Sequence, residues 1–317
     1  MRKREFQVMP QGVPGPGRNT YRIQKSVDKL QFDIHQMCLR NRDGSFATRA
    51  ARERTLDMCA RQLKDMGFRQ MRAQSIKPKH VEALVRGWQA EGIAAGTLKN
   101  RLAHLRWWAE KVGRQSVIPG ENATLGIPER SFSSAEGKQL ALDADKLVTI
   151  QDERVKISLL LQDQFGLRRE ESLKFQPNYA IRRDSPDTLH LKASWTKGGL
   201  ARTVPIRTAD QRWVLEQAKN IAGKGSLIPA ERTYAQHLKV YEGELRKAGI
   251  SRAHGLRHGY AQRRYQELAG WPCPHAGGPK SKELSPEQKT LDREARLAVS
   301  AEMGHAREEI TAVYLGR

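Results

Sequence analysis

The chain has 317 residues, which is enough for two ordinary domains with buried cores. Its 56 Lys and Arg residues against 35 Asp and Glu residues give a formal net charge of +21, and 38% of its residues are hydrophobic. That hydrophobic fraction argues against intrinsic disorder. The charge favours a polyanionic partner, because lysines and arginines that bind phosphates release the counterions condensed on them.

Cysteine usage and hydropathy argue against several other classes of protein. The cysteines Cys38, Cys59 and Cys273 are scattered and form no CxxC pair, so neither a disulfide scaffold nor a thiolate zinc site is indicated. The basic N-terminus is followed by QGVPGPGRNT, which is not typical of a secretory signal, and no apolar run has membrane-spanning length. We therefore expect a protein of the cytoplasm with no membrane partner.

The basic excess is concentrated in the N-terminal part of the chain. Residues 1–140 contain 26 basic and 13 acidic side chains, a net charge of +13, whereas residues 141–317 contain 30 and 22, a net charge of +8. The shorter part thus carries the larger share of the excess. This distribution favours a nucleic-acid-gripping module in the N-terminal part.

The N-terminal part has a helical pattern that follows a flexible beginning. Residues 1–20 are basic and rich in Gly and Pro, which predicts a flexible arm. Apolar residues then recur with helical spacing over 21–113, and glycines separate the segments. The predicted helices are 21–40, 46–66, 79–91 and 97–112. Residues 114–140 have little periodic pattern and are interpreted as a linker.

The C-terminal part, residues 141–317, is predicted to be mainly helical with one small antiparallel sheet. Two alternating segments, 188–193 and 201–206, flank a turn at 196–199 and predict a β-hairpin. Helices are predicted at 144–151, 155–165, 209–220, 233–248, 255–269 and 286–303. Asp143 caps the first of them and a capping box at 285–288 starts the last. Residues 270–284 are predicted to form a loop.

Several side chains in this part suit cleavage of a phosphodiester. Such a reaction needs a nucleophile, cations that neutralise charge on the phosphate oxygens, and an acid for the leaving 5′-oxygen. Arg168 follows Gly166-Leu at a helix junction, and His254 and Arg257 are three residues apart at the start of a helix. Lys197 lies in the glycine-rich hairpin turn. The phenol of Tyr314, nine residues after His305, is a candidate covalent nucleophile.

This ordered series of motifs resembles the tyrosine recombinase (phage integrase) family. The resemblance implies a helical DNA core-binding domain over 21–113 and a recombinase catalytic domain over 141–317, which together grip a DNA duplex. It implies that Arg168, Arg257 and His305 stabilise the scissile phosphate. It further implies that Lys197 is the general acid and that His254 assists proton transfer.

The resemblance also implies how the reaction proceeds. Tyr314 would attack the phosphate to give a 3′-phosphotyrosyl link, and Glu171 falls where relatives carry an acidic residue that orients the site. No cofactor and no metal are implied. The implied partners are double-stranded DNA at recombination sites, a homotetramer on two duplexes and accessory DNA-bending proteins. Integration or excision of a mobile element at the nucleoid is the implied setting.

Two departures from the family pattern and two alternatives accompany this prediction. Here 47 residues separate Arg257 from His305, including the loop at 270–284, and three residues follow Tyr314. The second departure leads us to expect either that protomers contact one another through a different surface or that this sequence is truncated. A type IB topoisomerase-like nicking and religating enzyme would share the chemistry. A non-catalytic basic DNA-binding or architectural protein would share the charge.

Overall fold

The computed structural model describes residues 28–129, 137–196, 198–305 and 308–317, with only the backbone described at 308 and 309. The predicted arm at 1–20 and the predicted general acid Lys197 therefore lie outside the described residues. The chain divides into two units, Met1–Arg130 and Ser131–Arg317. The boundary falls within the segment interpreted as a linker.

The described part of the first unit is a bundle of helices. These are α1 (Lys29–Arg40), α2 (Phe46–Asp65), α3 (Pro78–Ala90) and α4 (Ala95–Lys111). Trp88 and Trp108 fill the bundle core, and the indole of Trp108 donates a hydrogen bond of 3.0 Å to the carbonyl of Ala73. Ile118 and Ile127, within the predicted linker, are buried in the same core.

The second unit contains the remaining helices and a two-stranded antiparallel sheet. Its helices are α5 (Ala144–Thr149), α6 (Glu153–Phe165), α7 (Arg169–Leu173), α8 (Pro177–Ala180), α9 (Ala209–Ala222), α10 (Tyr234–Lys247), α11 (His254–Ala269), α12 (Pro286–Glu302) and α13 (Glu308–Leu315). Its strands are β1 (Thr188–Leu191) and β2 (Arg202–Pro205), and Leu189 pairs with Val204. A core of apolar side chains joins α6, α9, α11 and the sheet.

Local signals in the sequence account for the ends of these helices. Asp143 accepts hydrogen bonds from the first turn of α5, and Ser285 forms the predicted capping box with Gln288 at the start of α12. Gly166 ends α6 in the left-handed conformation at φ +60°. A Cβ atom at Gly166 would lie 2.4 Å from the ring of Tyr260, so both the conformation and the space require glycine.

The predicted fold class is confirmed, with differences at short elements. The mainly helical chain with a small antiparallel sheet is observed, and most predicted helices lie within a few residues of their observed bounds. Helices α7 and α8 were not predicted, because five and four residues are too few to show a helical period. The strands are shorter than predicted, and a 3₁₀ turn at Ala193–Trp195 follows β1. Among the described residues, no helix is both long enough and apolar enough to cross a membrane.

Candidate active site

Five of the six predicted catalytic residues lie together in the second unit. Arg168 is the N-cap residue of α7, His254 and Arg257 lie in the first turn of α11, His305 follows α12, and Tyr314 lies near the end of α13. Contacts among α6, α7, α11, α12 and α13 bring these positions together although they are far apart in sequence. The packing of the helices, and no single local motif, therefore assembles the site.

Arg257 lies at the centre of this group and is almost completely buried. Its guanidinium donates short hydrogen bonds to the carbonyls of Gly166, at the end of α6, and Met303, at the end of α12. One of its nitrogens also lies 3.3 Å from Nε2 of His305. Burial, followed by the nearby positive charge of Arg168, lowers the pKa of Arg257 to about 10, so it remains a cation at neutral pH. The side chain thus joins two helix ends and places a buried positive charge beside His305.

Glu171 is buried with no exposed side-chain surface, and it joins two arginines. Its Oε1 accepts a hydrogen bond of 2.8 Å from Nη1 of Arg168, and Oε2 accepts one from the backbone N–H of Arg168. Both oxygens also accept bonds of 2.7 Å from Arg202. Burial alone would raise the pKa of Glu171, but the hydrogen bonds and charges of Arg202, Arg257 and Arg168 lower it to about 2. Glu171 is therefore an anion that fixes the orientation of Arg168.

The charges of this group do not cancel. Arg168, Arg202 and Arg257 bring three positive charges to a single carboxylate, that of Glu171. Around His305 and the hydroxyl of Tyr314, the described hydrogen-bond partners include no other carboxylate. An excess of fixed positive charge at a partly buried position is suited to a phosphate, on which negative charge develops during displacement.

His305 is held between Arg257 and a threonine. Its Nδ1 lies 3.2 Å from the hydroxyl of Thr311, and its Nε2 faces Arg257. Burial, followed by the charges of Arg257 and Arg168, lowers the pKa of His305 to about 3. His305 is therefore neutral at pH 7 in the free protein and acts there through hydrogen bonds.

Tyr314 lies among three histidine rings. Its hydroxyl is 3.3 Å from Nε2 of His254, and its ring centroid is 5.2 Å from that of His305 and 4.3 Å from that of His258. The tyrosine is only 7% exposed. Partial burial and the charges of Arg257 and Arg168 lower the pKa of His254, so its neutral form is available to accept a proton. A phenol with an adjacent neutral imidazole and nearby arginines can act as a nucleophile.

The loop predicted at 270–284 packs against the helix that carries Tyr314. The backbone carbonyl of Tyr314 accepts a hydrogen bond of 3.0 Å from Gln262 and lies 3.3 Å from Nδ1 of His275. The carbonyl of Gly316 accepts a bond of 2.9 Å from Arg296. A Cβ atom at Gly316 would lie 2.7 Å from the His275 ring. The long segment after Arg257 therefore supplies the surface on which α13 docks in the same chain.

Two other buried tyrosines are engaged differently. The hydroxyl of Tyr260 donates a hydrogen bond of 2.6 Å to Glu302, and that of Tyr265 donates one of 2.5 Å to Asp292. Burial and these carboxylates raise the pKa of both phenols above the ordinary value. Both hydroxyls are thus kept protonated and face structural carboxylates, as expected for packing residues.

Sequence reasoning missed Arg202 and the role of His258. Arg202 lies on β2, two positions before the buried Val204, so both side chains point to the same face of the sheet. A charged residue at an inward position of a strand requires a buried partner, and this signal was present in the sequence. His258 directly follows Arg257, and only the packing of α11 against α13 places it on the tyrosine ring. No group of His, Cys, Asp and Glu side chains suited to a metal ion is found in the described residues.

Two family models match consecutive parts of the chain. The model described as "Phage integrase, N-terminal" matches residues 27–118, and the model described as "Integrase" matches residues 131–263. The chain belongs to the phage integrase family of tyrosine recombinases. The second match ends before His305 and Tyr314, so those two residues are placed in the site by the geometry described above. A search of curated proteins found no sequence that matches this chain.

Solved structures of other integrases share the fold. The Tn1549 transposon integrase, in complex with circular intermediate DNA, is 13% identical over 92% of this chain and 96% of its own, with a TM-score of 0.54. A lambda integrase dimer bound to a COC′ core site is 16% identical over 90% of this chain and 77% of its own, with a TM-score of 0.57. A lambda integrase tetramer bound to a Holliday junction is 15% identical over 87% of this chain and 76% of its own, with a TM-score of 0.52. At these identities the likeness establishes the fold.

Proposed function

We propose that this protein is a site-specific DNA recombinase that cuts and rejoins strands through a covalent 3′-phosphotyrosyl intermediate, with Tyr314 as the nucleophile. The observation that carries the proposal is the position of Tyr314: its hydroxyl lies 3.3 Å from Nε2 of His254, and its ring centroid lies 5.8 Å from the Arg257 guanidinium carbon and 5.2 Å from the His305 ring. A phenol in a purely structural role would not need a neutral base and a buried cation at the same position.

The proposed step is an in-line displacement at phosphorus. The Tyr314 oxygen forms a bond to the phosphorus atom, and the bond from phosphorus to the 5′-oxygen of the next nucleotide breaks. In the tautomer that carries its proton on Nδ1, His254 accepts the phenolic proton at Nε2. Lys197 protonates the leaving 5′-oxygen. Attack of a 5′-hydroxyl on the phosphotyrosine reverses the step and rejoins a strand, so no external energy source is required.

In this proposal the arginines stabilise the charge that develops on the phosphate. Arg168 uses one guanidinium nitrogen for Glu171 and one for the carbonyl of Gly304, at 3.3 Å, and it is partly exposed. Its remaining donors are free to bind a phosphate oxygen. Arg257 supplies further positive charge, and the neutral His305, in the tautomer that carries its proton on Nε2, donates a hydrogen bond to the bound phosphate.

The proposed partner is double-stranded DNA. The net charge of +13 in the first 140 residues supports a DNA grip by the N-terminal unit, and four protomers are expected to act on two duplexes. The lambda integrase tetramer on a Holliday junction offers a precedent within the same fold. We expect the protein to act at the nucleoid in the cytoplasm, to integrate or excise a mobile element, and to use accessory DNA-bending proteins.

Trapping of a covalent adduct tests the proposal. Nicked duplexes with a randomised sequence around the nick lose the short leaving strand after cleavage, so the protein–DNA ester accumulates. Wild type should give an adduct that resists denaturation and disappears after protease treatment, and sequencing of the trapped DNA gives the site. Tyr314→Phe should give none, whereas Tyr265→Phe, which removes a packing phenol, should still give the adduct.

The outcomes separate the alternatives. If wild type binds DNA and traps no adduct, or if Tyr314→Phe traps as much as wild type, the catalytic proposal is wrong. If the adduct forms but two duplexes carrying the selected site never exchange strands, the activity is that of a nicking and religating enzyme and the recombinase proposal is wrong.

A further inference from the structure

Arg202 is buried beside the candidate active site, and the reaction proposed above gives it no task. Its side chain is 7% exposed, and it lies on β2, five residues after Lys197. Burial of an unpaired guanidinium is costly, so its partners explain why it is there. Those partners belong to two other elements of the site.

The guanidinium of Arg202 holds both oxygens of one carboxylate. Nη1 donates to Oε1 of Glu171 and Nη2 donates to Oε2, each over 2.7 Å, which is a bidentate pair. Its Nε donates a bond of 2.9 Å to the carbonyl of Glu302, in the last turn of α12. Three donors are thus used on protein acceptors, and the group is too buried to bind a phosphate in addition.

Glu171 in turn holds Arg168, and the two interactions share its oxygens. Oε1 accepts from the guanidinium of Arg168 as well as from Arg202, and Oε2 accepts from the Arg168 backbone as well as from Arg202. The fork of Arg202 therefore fixes the plane of the carboxylate. That plane determines the direction in which Arg168 extends toward the site.

Arg202 also fixes the segment that carries His305. The side chain passes directly over Gly304, where a Cβ atom would lie 2.7 Å from its Cδ. Arg168 donates to the carbonyl of the same glycine. The end of α12, the start of α7 and strand β2 are thereby joined through one side chain.

We propose that Arg202 is a positioning residue of the recombination reaction, which acts by orienting Glu171 and through it Arg168. The inference rests on the function proposed above. It predicts that Arg202 contributes to the rate of strand cleavage and contributes little to DNA binding, since it does not touch the DNA.

Single-turnover cleavage of the selected nicked duplex tests this inference. Arg202→Met should slow adduct formation by about 10- to 100-fold, because a small misplacement of a charge-stabilising group has effects of that size. The apparent Kd for the same duplex should change by less than about threefold. Arg202→Lys should be slowed in the same way, since an ammonium cannot form the parallel pair with Glu171. Arg212→Met removes an exposed arginine that pairs with Asp187, and it should cleave at the wild-type rate.

Three further measurements distinguish positioning from a merely structural role. Rates are normalised to the folded fraction measured by circular dichroism, so that partial unfolding of Arg202→Met is not mistaken for slower cleavage. If Arg202→Met is unstable, Arg202→Lys provides a variant that retains a buried cation. The double variant Arg202→Met with Glu171→Gln should be about as slow as the slower single variant, because both changes act on Arg168. A duplex with a 5′-bridging sulfur, whose leaving group needs little protonation, should not restore Arg202→Met.

Each contrary result has a definite meaning. Normalised cleavage at the wild-type rate, additive effects with Glu171→Gln, or recovery on the sulfur-containing duplex would each overturn the inference. A parallel loss of DNA affinity would assign Arg202 to phosphate binding instead. Failure of wild type to form any adduct would refute the proposed function, and that result is distinct from normal cleavage by Arg202→Met.

Discussion

The imidazole ring of His258 lies against the phenol ring of Tyr314, with ring centroids 4.3 Å apart and planes inclined by 34°. His305 lies 5.2 Å from the same phenol with a similar inclination of 29°. Burial, followed by the charge of His254, lowers the pKa of His258 to about 4, so this ring is neutral at pH 7. The phenol is thus held by two neutral aromatic rings, and His254 faces its hydroxyl.

Replacement of His258 is expected to loosen Tyr314 without removing a reacting group. His258→Ala should slow adduct formation by up to about tenfold, because an aromatic pair contributes about 0.5–1.5 kcal/mol. His258→Phe keeps a flat ring at the same position and should retain most of the rate. Single-turnover trapping on the nicked duplex measures both. Equal loss in the two variants would show that the imidazole nitrogens, and not the ring contact, are what Tyr314 requires.

The stability of the second unit is expected to depend on pH below about 6.5. His258 and His305 have pKa values of about 4 and about 3 in the folded protein, below the value of 6.5 for an exposed histidine. The unfolded chain therefore binds more protons than the folded protein as the pH falls from 6.5 toward 4, and the free energy of unfolding decreases. Glu171, whose pKa is lowered to about 2, remains ionised in both states above about pH 5.5 and does not contribute there.

Urea unfolding at several pH values between 5 and 7 tests this expectation. In His258→Phe, the decrease in free energy of unfolding below pH 6 should be smaller than in wild type by about 1 kcal/mol per pH unit, since one titrating group has been removed. An unchanged pH dependence in His258→Phe would contradict the lowered pKa of His258.

A methyl group at Gly304 is expected to disturb the site by displacing Arg202. Gly304 has φ +62°, and its Cβ would lie 2.7 Å from Cδ of Arg202. Gly249 has nearly the same conformation, φ +63°, but nothing lies within 4 Å of the Cβ position. Gly304→Ala and Gly249→Ala therefore share the cost of a left-handed alanine, about 1–2 kcal/mol, and only Gly304→Ala has the clash.

Thermal unfolding and cleavage rates of the two alanine variants isolate that contact. Gly304→Ala should have the lower Tm of the two and should cleave more slowly, whereas Gly249→Ala should cleave at the wild-type rate when normalised to folded protein. Equal Tm values and equal rates for the pair would mean that Arg202 moves aside at no cost.

Lys197 is expected to contribute to the leaving step far more than to DNA binding. Lys197→Ala should cleave slowly, with a loss of about 10²- to 10⁴-fold that is typical of a missing general acid. A duplex with a 5′-bridging sulfur should restore its rate, because a thiolate leaves without protonation. On the same duplex, the cleavage rate of Arg202→Met should not be restored. Absence of rescue for Lys197→Ala would assign Lys197 to phosphate contact.

Local patterns in the amino-acid sequence are sufficient to predict the order of the motifs, the main helices and the hairpin. Helical spacing of apolar residues, the caps at Asp143 and Ser285 and the left-handed Gly166 are local signals, and local signals can be read without a structure. The family resemblance is also visible in the amino-acid sequence, in the motifs at Arg168, His254 to Arg257 and His305 to Tyr314. The sequence does not predict helices α7 and α8, because they are too short to show a helical period of apolar residues.

The contacts among the site residues depend on how the helices and the sheet pack together. Arg202 lies 31 positions after Glu171 in the sequence, and Tyr314 lies 56 positions after His258. No local pattern specifies which distant groups will share a buried site. The reason is the free-energy cost of burying charged and polar groups. Packing of the helices against β2 buries Arg202, Arg257 and Glu171, and these charged side chains can remain buried only because they interact with one another. Packing therefore selects the pairs, and the pairs fix where the side chains around Tyr314 lie.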